Sequence, residues 1–257
     1  MIQNDSIPAN KQLKATEKLK KELGELKFNE PVSHVYCPFD YAWNAFKEYI
    51  IRFGNNEKKV VFVAMNPGRW GMTQTGIPLG EVETVKKWLK ISDIEKRPPP
   101  SEFDDIYQVK GHSCEKSEDS GRRFWGLIKE KFNNEPEEFF KHNFVLNYCP
   151  LLFIEKTISK EGKKGVRNLP LVEIKNRESK RKLVKACDNY LSEIVKILNP
   201  SYIIGIGDFA EKRIKIVIKG NDRITIGKII HPSKRVIKYD DIWKCVVTKQ
   251  LKEMKLW

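Results

Sequence analysis

Residues 61–80 read Val-Phe-Val-Ala-Met-Asn-Pro-Gly-Arg-Trp-Gly-Met-Thr-Gln-Thr-Gly-Ile-Pro-Leu-Gly, an apolar strand pattern that runs directly into a loop rich in glycine and proline. The β-branched run stops at Asn66, and the loop contains no Asp, Glu, Ser, Cys or His. This pattern predicts a buried strand that delivers one side-chain amide and several backbone N–H groups to a crevice. Because an amide does not take up a proton, we expect a reaction whose leaving group departs largely on its own.

Three further apolar segments end in a similar way. They finish at Asn147, Gly207 and His231, and helical patterns separate the four segments. Strands separated by helices imply parallel pairing with right-handed crossovers, so the sequence predicts an α/β fold, a three-layer α/β/α sandwich around a short parallel sheet. Ligands bind beyond the carboxyl ends of such strands, and Asn66, Asn147 and His231 are therefore expected to share one site.

The rest of the chain is expected to belong to one domain. Its 257 residues fit a single domain, with residues 1–25 as an N-terminal helical extension. Residues 82–89 have the pattern of a helix, and residues 98–120 form a long connection without periodicity. Residues 156–182 form a basic segment, with ten basic and three acidic side chains around a turn at residues 167–170.

Composition limits the partners. The 48 Lys and Arg side chains outnumber the 34 Asp and Glu side chains, for a net charge of +14. A surplus of this size is typical of proteins that bind polyanions such as nucleic acids, although a lysine-rich solvated surface gives the same charge. The five cysteines lack the paired spacing of zinc or iron–sulfur sites, so we expect no metal. No segment resembles a signal peptide or a membrane span, which predicts an intracellular protein without a membrane partner.

Several motifs resemble the single-strand-selective monofunctional uracil-DNA glycosylases, which belong to the uracil-DNA glycosylase superfamily. The resemblance extends from about Leu26 to the last helix. It rests on Met65-Asn-Pro-Gly68, Gly71-Met-Thr-Gln-Thr-Gly76, Phe144-Val-Leu-Asn-Tyr-Cys-Pro-Leu-Leu-Phe153 and His231-Pro-Ser-Lys-Arg235. It implies hydrolysis of the N-glycosidic bond of deoxyuridine in DNA, without a cofactor.

The family's catalytic roles map onto two residues. The resemblance implies that Asn66 positions the attacking water, while His231 donates a hydrogen bond to uracil O2 as negative charge develops there. A third family residue maps to Asn147, whose amide offers one donor and one acceptor to uracil O4 and N3–H. Cytosine presents the opposite pattern and would leave both groups unpaired, at roughly 1–3 kcal/mol each.

The resemblance also implies how the rest of the base is surrounded. Met65 and Gly68 would lie near C5, where a small residue leaves room for a 5-substituent. Leu79 occupies the position where the family commonly has a phenylalanine that stacks on the base. Leucine has no aromatic ring, so this stacking contact is lost. Trp70 is a candidate to compensate, and packing in the core is the alternative.

Uracil in a duplex must be flipped out, and the family fills the gap with the segment after its catalytic histidine. Here that segment is residues 232–238, with Arg235 as the candidate wedge. Lys234 and Val236 flank it where the family has proline and asparagine, which bears on duplex activity. The amine of Lys234 also raises a lyase alternative. The expected DNA-binding residues are Arg167, Ser233, Lys234, Arg235 and Lys238.

Together these features predict a monomeric enzyme that excises uracil, and related oxidised pyrimidines such as 5-hydroxymethyluracil, from single- and double-stranded DNA. It would initiate base excision repair, in the nucleus of a eukaryote or the cytoplasm of a bacterium. Two alternatives remain open from the sequence. One is a glycosylase for the deaminated purines hypoxanthine and xanthine, and the other is an inactive relative that only binds nucleic acid.

Overall fold

The computed structural model describes residues 7–95, 97–98, 107–158, 162 and 164–257. Parts of the predicted connection at 98–120 and of the basic segment at 156–182 lie outside these residues. The strands are β1 (His34–Tyr36), β2 (Val60–Ala64), β3 (Asn143–Asn147), β4 (Leu152–Ile158), β5 (Lys164–Leu169), β6 (Tyr202–Ile206) and β7 (Thr225–Ile229). The α-helices are α1 (Pro8–Gly24), α2 (Trp43–Phe53), α3 (Met72–Thr75), α4 (Asp119–Lys131), α5 (Pro136–Phe140), α6 (Arg177–Leu198), α7 (Asp208–Val217) and α8 (Asp240–Glu253).

The main sheet is parallel and has the strand order β3-β2-β6-β7. Every residue of the second strand, β2, is buried, which explains its continuous apolar run. Helices separate these four strands along the chain, so each crossover covers a face of the sheet. The predicted α/β class and the four predicted parallel strands are confirmed.

Helices cover both faces of this sheet. Consecutive strand residues point to opposite faces. On β6, Gly205 faces Glu211 of α7, while the neighbouring Ile204 lies close to Gly227, as does Met254 just beyond α8. Helix α7 packs against α6, and α6 against α1, whereas α8 packs against α4. The two groups of helices therefore form the outer layers of the sandwich.

A second sheet was not predicted. Strands β1, β4 and β5 form an antiparallel sheet in which the β4–β5 hairpin contains the first half of the basic segment. The strand pattern of β4 was hard to recognise in the basic segment. Burial persists only through Leu152, Phe153 and Ile154, and the rest of the strand alternates between half-buried and exposed positions. The partner strand β1 is more than 110 residues away along the chain, so local sequence carried little information about the pairing.

Two other segments add detail to the sequence expectations. Residues Thr84–Leu89 wind as a π-helix, a form that sequence periodicity does not distinguish from an α-helix. Helix α1, which the sequence assigned to an N-terminal extension, packs against the body of the domain. Leu19 and Leu23 are buried, and the Gln12 Nε2 donates a hydrogen bond of 2.6 Å to the Gly54 carbonyl oxygen.

Candidate active site

The four strands of the main sheet end at one level. Ala64 of β2 pairs with Asn147 of β3, and Ile206 of β6 pairs with Ile229 of β7. The register between β2 and β6 places Ala64 and Ile206 side by side. Neighbouring strands lie about 4.8 Å apart. The loops that follow these ends therefore begin along one short edge.

Asn66 follows β2 by two residues and is half-buried. Its Nδ2 donates a hydrogen bond of 3.3 Å to the Leu151 carbonyl oxygen. The Cys149 N–H donates to the Met65 carbonyl oxygen at 2.9 Å. These contacts join the loops after β2 and β3, so the amide of Asn66 is held beside the end of the strand that carries Asn147.

Asn147 is the last residue of β3 and is 6% exposed. Its Nδ2 lies 3.0 Å from Met72 Sδ, which is a weak acceptor. Its Oδ1 is buried without a hydrogen-bond partner among the described residues. Buried polar atoms nearly always have partners. The amide thus presents one unused acceptor and one weakly engaged donor, the pair that uracil N3–H and O4 require.

His231 follows β7 by two residues and leans toward the neighbouring strand. An ideal Cβ built on Gly207, which has a φ of +86°, would lie 3.2 Å from the His231 Cβ. Glycine therefore suits position 207 both for its backbone angle and for the packing of the imidazole. The contact places the imidazole against the end of β6, the strand next to β2 in the sheet.

The hydrogen bonds of His231 define its tautomer. The Ser233 N–H donates to His231 Nδ1 at 3.1 Å, so Nδ1 is an acceptor and the proton is on Nε2. Burial lowers the pKa of this imidazole below its usual 6.5, which keeps the ring neutral near pH 7. A neutral imidazole with Nε2–H can donate to an oxygen that becomes negatively charged.

The glycine-rich loop, residues 65–81, is fixed by burial and by hydrogen bonds to residues 108–110. All residues from Gly71 to Glu81 are buried. Gln74 joins the loop to residues 108–110, because its Nε2 donates to the Gln108 carbonyl oxygen at 3.1 Å and its Oε1 accepts from the Lys110 N–H at 2.8 Å. Gln74 therefore has a structural role, and the loop is preorganised.

Leu79 is buried in the same loop with a φ of +51°. A leucine in this left-handed region is strained, by about 1–2 kcal/mol. Its carbonyl oxygen accepts a hydrogen bond of 2.9 Å from Trp125 Nε1, which holds the backbone in place. Trp70, the candidate to compensate for the missing phenylalanine, packs edge-on against Tyr107 at 5.3 Å between ring centroids.

The structure adds Glu118, which the sequence did not single out, to the back of the loop. An ideal Cβ on Gly68 would overlap Glu118 Oε1, so the space beside this glycine contains a carboxyl group. Burial raises the pKa of Glu118 to about 7, with smaller contributions from Glu81 and Asp119, and the Gly121 N–H opposes the shift. Because Glu118 precedes α4 in a polar stretch, it resembles an ordinary helix start in the sequence.

The segment that follows His231, residues 232–238 (the wedge loop), is exposed at residues 234–236 and 238 but has a buried anchor. The side chain of Arg123 is 1% exposed and forms an ion pair with Asp240. Its guanidinium donates to the carbonyl oxygens of Ile237 at 2.7 Å, Lys238 at 2.6 Å and Pro232 at 3.2 Å. One buried arginine therefore holds both ends of the loop, while residues 234–236 remain exposed.

Two of the expected DNA-binding side chains have partners within the protein. Lys234 Nζ lies 2.7 Å from Asp119 Oδ1. The Arg167 guanidinium forms ion pairs with Glu155 and Glu173. Ser233 accepts a hydrogen bond from the Arg235 N–H at 3.2 Å, which shapes the turn that carries the candidate wedge. To contact DNA, Lys234 and Arg167 would have to exchange their carboxylate partners for phosphates. The DNA-binding roles of these two residues, and of Arg235 and Lys238, stay predictions.

Among the described residues no group of three or more His, Cys, Asp or Glu side chains could hold a metal ion. Within the same part of the chain, no helix has the length and apolar character needed to cross a membrane.

Comparison with known proteins identifies the family. The model of the uracil DNA glycosylase superfamily matches residues 51–253. The single-strand selective monofunctional uracil-DNA glycosylase of Rattus norvegicus is 36% identical over 242 residues, covering 93% of this chain and 82% of the relative. The corresponding protein of Mus musculus is 35% identical over 240 residues with the same coverage.

A solved structure shares the fold. The crystal structure of SMUG2 from Pedobacter heparinus superposes with a TM-score of 0.64 and 17% identity, covering 99% of this chain and 98% of the other. The family expected from the motifs is therefore confirmed, and the chain belongs to the uracil-DNA glycosylase superfamily.

Proposed function

We propose that this protein is a monofunctional uracil-DNA glycosylase that hydrolyses the N-glycosidic bond of deoxyuridine in DNA and releases free uracil. The reaction would start base excision repair. The observation that carries the proposal is the buried Asn147 amide, whose Oδ1 has no partner in the described structure, at the end of a strand in a chain of this superfamily.

Base recognition follows from the amide of Asn147. Its Oδ1 accepts the N3–H of uracil, and its Nδ2 exchanges the weak contact with Met72 Sδ for a bond to O4. Cytosine has an acceptor at N3 and a donor at C4, so both hydrogen bonds would be lost. Two unpaired buried groups are sufficient for a strong preference for uracil.

Cleavage of the glycosidic bond leaves negative charge on uracil and a cation-like sugar. The Nε2–H of His231 donates to uracil O2, where it stabilises that charge in a partly dry site. The amide of Asn66 positions a water molecule against the sugar carbon. Because the cation is very reactive, a positioned water needs no strong base.

The wedge loop and the basic segment supply the DNA contacts. Arg235, exposed at the tip of the wedge loop, fills the gap that the flipped base leaves in a duplex. Ser233, Lys234, Lys238 and Arg167 contact phosphates, so binding weakens steeply with added salt. The enzyme acts as a monomer inside the cell, in the nucleus of a eukaryote or the cytoplasm of a bacterium.

The substrate range includes uracil and 5-hydroxymethyluracil in both single- and double-stranded DNA. The proposal is tested with oligonucleotides that each contain one uracil, 5-hydroxymethyluracil, hypoxanthine or xanthine, followed by alkaline cleavage of abasic sites. Strand breaks after alkali with the two pyrimidines are expected. Breaks only with the purines, or binding without breaks for every base, would overturn the proposal. Breaks without alkali would indicate lyase activity, which the ion pair of Lys234 with Asp119 disfavours.

A further inference from the structure

The carboxyl group of Glu118 lies in a cradle made by three glycines. An ideal Cβ on Gly68 would overlap its Oε1, and one on Gly71 would overlap its Oε2. A Cβ on Gly121 would lie 3.1 Å from Oε2. Two of these glycines belong to the glycine-rich loop and the third to α4. Because the three glycines have no side chains, a space remains between them, and the Glu118 carboxyl group occupies it.

This carboxyl group has an unused hydrogen-bonding atom. Oε2 is buried and has no hydrogen-bond partner within the described part of the chain. Burial raises the pKa of the group to about 7, so that protonated and ionised forms coexist near neutral pH. A buried carboxyl oxygen without a partner is costly. Such an atom is available to pair with a ligand group.

Glu118 lies on the same side of the site as Asn147. The Nδ2 of Asn147 contacts Met72 Sδ, and Met72 directly follows Gly71, against which the carboxyl group of Glu118 packs. Gly68, the other contact, follows Asn66 by two residues. The carboxyl group therefore packs against the short stretch of loop, residues 66–72, that runs from Asn66 to the methionine contacted by Asn147.

The orientation of the base determines which of its atoms faces this stretch. Asn147 pairs with N3–H and O4, and His231 donates to O2. In the pyrimidine ring C5 is adjacent to C4 and opposite C2. A substituent on C5 therefore points away from His231 and past Asn147, toward the loop backed by Glu118.

We propose that Glu118 is a specificity-determining residue, whose carboxyl group reads the 5-position of the flipped pyrimidine and favours a polar 5-substituent over the methyl group of thymine. This inference rests on the proposed function. A hydroxymethyl group can donate to or accept from the carboxyl group in either protonation state. A methyl group offers no hydrogen bond and would cover the oxygen, which would leave it buried without either a partner or water.

The first experiment compares two variants of equal side-chain length. Glu118→Gln retains a donor and an acceptor, whereas Glu118→Met removes both. The readout is the ratio of kcat/KM for single-stranded oligonucleotides with 5-hydroxymethyluracil and with thymine, because a ratio cancels general damage to the enzyme. We expect the Met variant to lower this ratio at least about tenfold, while the Gln variant stays within about threefold of the wild type. Glu130→Gln, which changes an exposed carboxylate on the helix that Glu118 precedes, is the matched control.

A second measurement uses charge and needs only the isosteric Gln variant. At about pH 8 the carboxylate of Glu118 repels an anionic 5-substituent, so wild-type protein should excise 5-carboxyuracil more slowly than 5-hydroxymethyluracil. The Gln variant should lower the ratio of the excision rate of 5-hydroxymethyluracil to that of 5-carboxyuracil about tenfold. An unchanged ratio of these rates in the Gln variant would overturn the role of Glu118. An equal fall in kcat/KM for all 5-substituted bases in the Met variant would overturn it too. Failure of the wild type to excise uracil itself would instead overturn the proposed function.

Discussion

The glycine-rich loop and the wedge loop both follow strands of the same sheet, yet they are built in opposite ways. The glycine-rich loop is buried along its second half and is fixed by Gln74, Trp125 and the carboxyl group of Glu118. The wedge loop exposes residues 234–236 and depends on one buried side chain, Arg123. If the proposed roles hold, the base would bind to a preorganised loop, while the wedge loop could adapt to the DNA around it.

The anchor of the wedge loop should give the largest effect. Arg123→Met removes the buried donor of three carbonyl oxygens and one of the two arginine partners of Asp240, which we expect to cost about 3–5 kcal/mol of unfolding free energy. Excision from duplex DNA should fall more than excision from single strands, because the wedge acts only in a duplex. Chemical denaturation and the two excision assays provide the measurements.

The control is the neighbouring arginine. Arg122 has 43% side-chain exposure and also pairs with Asp240. Arg122→Met should therefore cost only about 0–1 kcal/mol. Equal losses from both arginines would show that the wedge loop has no single anchor.

Chemistry on the glycine-rich loop should depend on Asn66. Asn66→Ala removes the amide that positions the water, and single-turnover excision of uracil should slow on the order of 100- to 1000-fold. Binding of the uracil oligonucleotide should change little, because Asn66 contacts no phosphate in the proposal. The exposed Asn55→Ala is the control. Near-normal excision by the Asn66 variant would remove this residue from its assigned role.

The buried Glu118 carboxyl group beside the glycine-rich loop should make the free energy of unfolding depend on pH. The Glu118 carboxyl has a folded-state pKa of about 7, above its ordinary value of 4.5. As the pH rises between these values, the unfolded chain releases the proton first, so the folded state loses stability. Relative to Glu118→Gln, the wild type should lose at most about 3 kcal/mol between about pH 5 and about pH 8.

Thermal unfolding at several pH values measures this loss. Glu81 and Asp119 are the carboxylates that influence Glu118, and both remain in the variant. The exposed Glu138→Gln serves as the control. A pH-independent difference between wild type and Glu118→Gln would mean that the carboxyl group is solvated.

The smallest expected effect concerns stacking of residue 79 on the flipped base. Leu79→Phe restores an aromatic ring on a backbone that Trp125 already holds, and we expect kcat/KM for uracil to rise about fivefold, from about 1 kcal/mol of added stacking. Leu79→Met, which changes shape without adding a ring, is the comparison. A fall in activity with phenylalanine would show that this side chain does not lie against the base.

The amino-acid sequence was enough to predict the parallel sheet and to place Asn66, Asn147 and His231 at or just beyond the ends of its strands. These features are local, because an apolar run and the residue that ends it are adjacent in the chain. The family resemblance rested on the same short segments, and the comparisons confirmed it. The roles of these residues stay predictions.

The distant groups that support the site became evident only in the folded chain. Glu118 immediately precedes α4 and Arg123 belongs to it, about 40 residues after the glycine-rich loop and more than 100 before the wedge loop. The β4–β5 hairpin likewise pairs with a strand more than 110 residues away. Such contacts leave no periodic signal, because they depend on how the helices pack on the sheet and on which buried polar groups then meet.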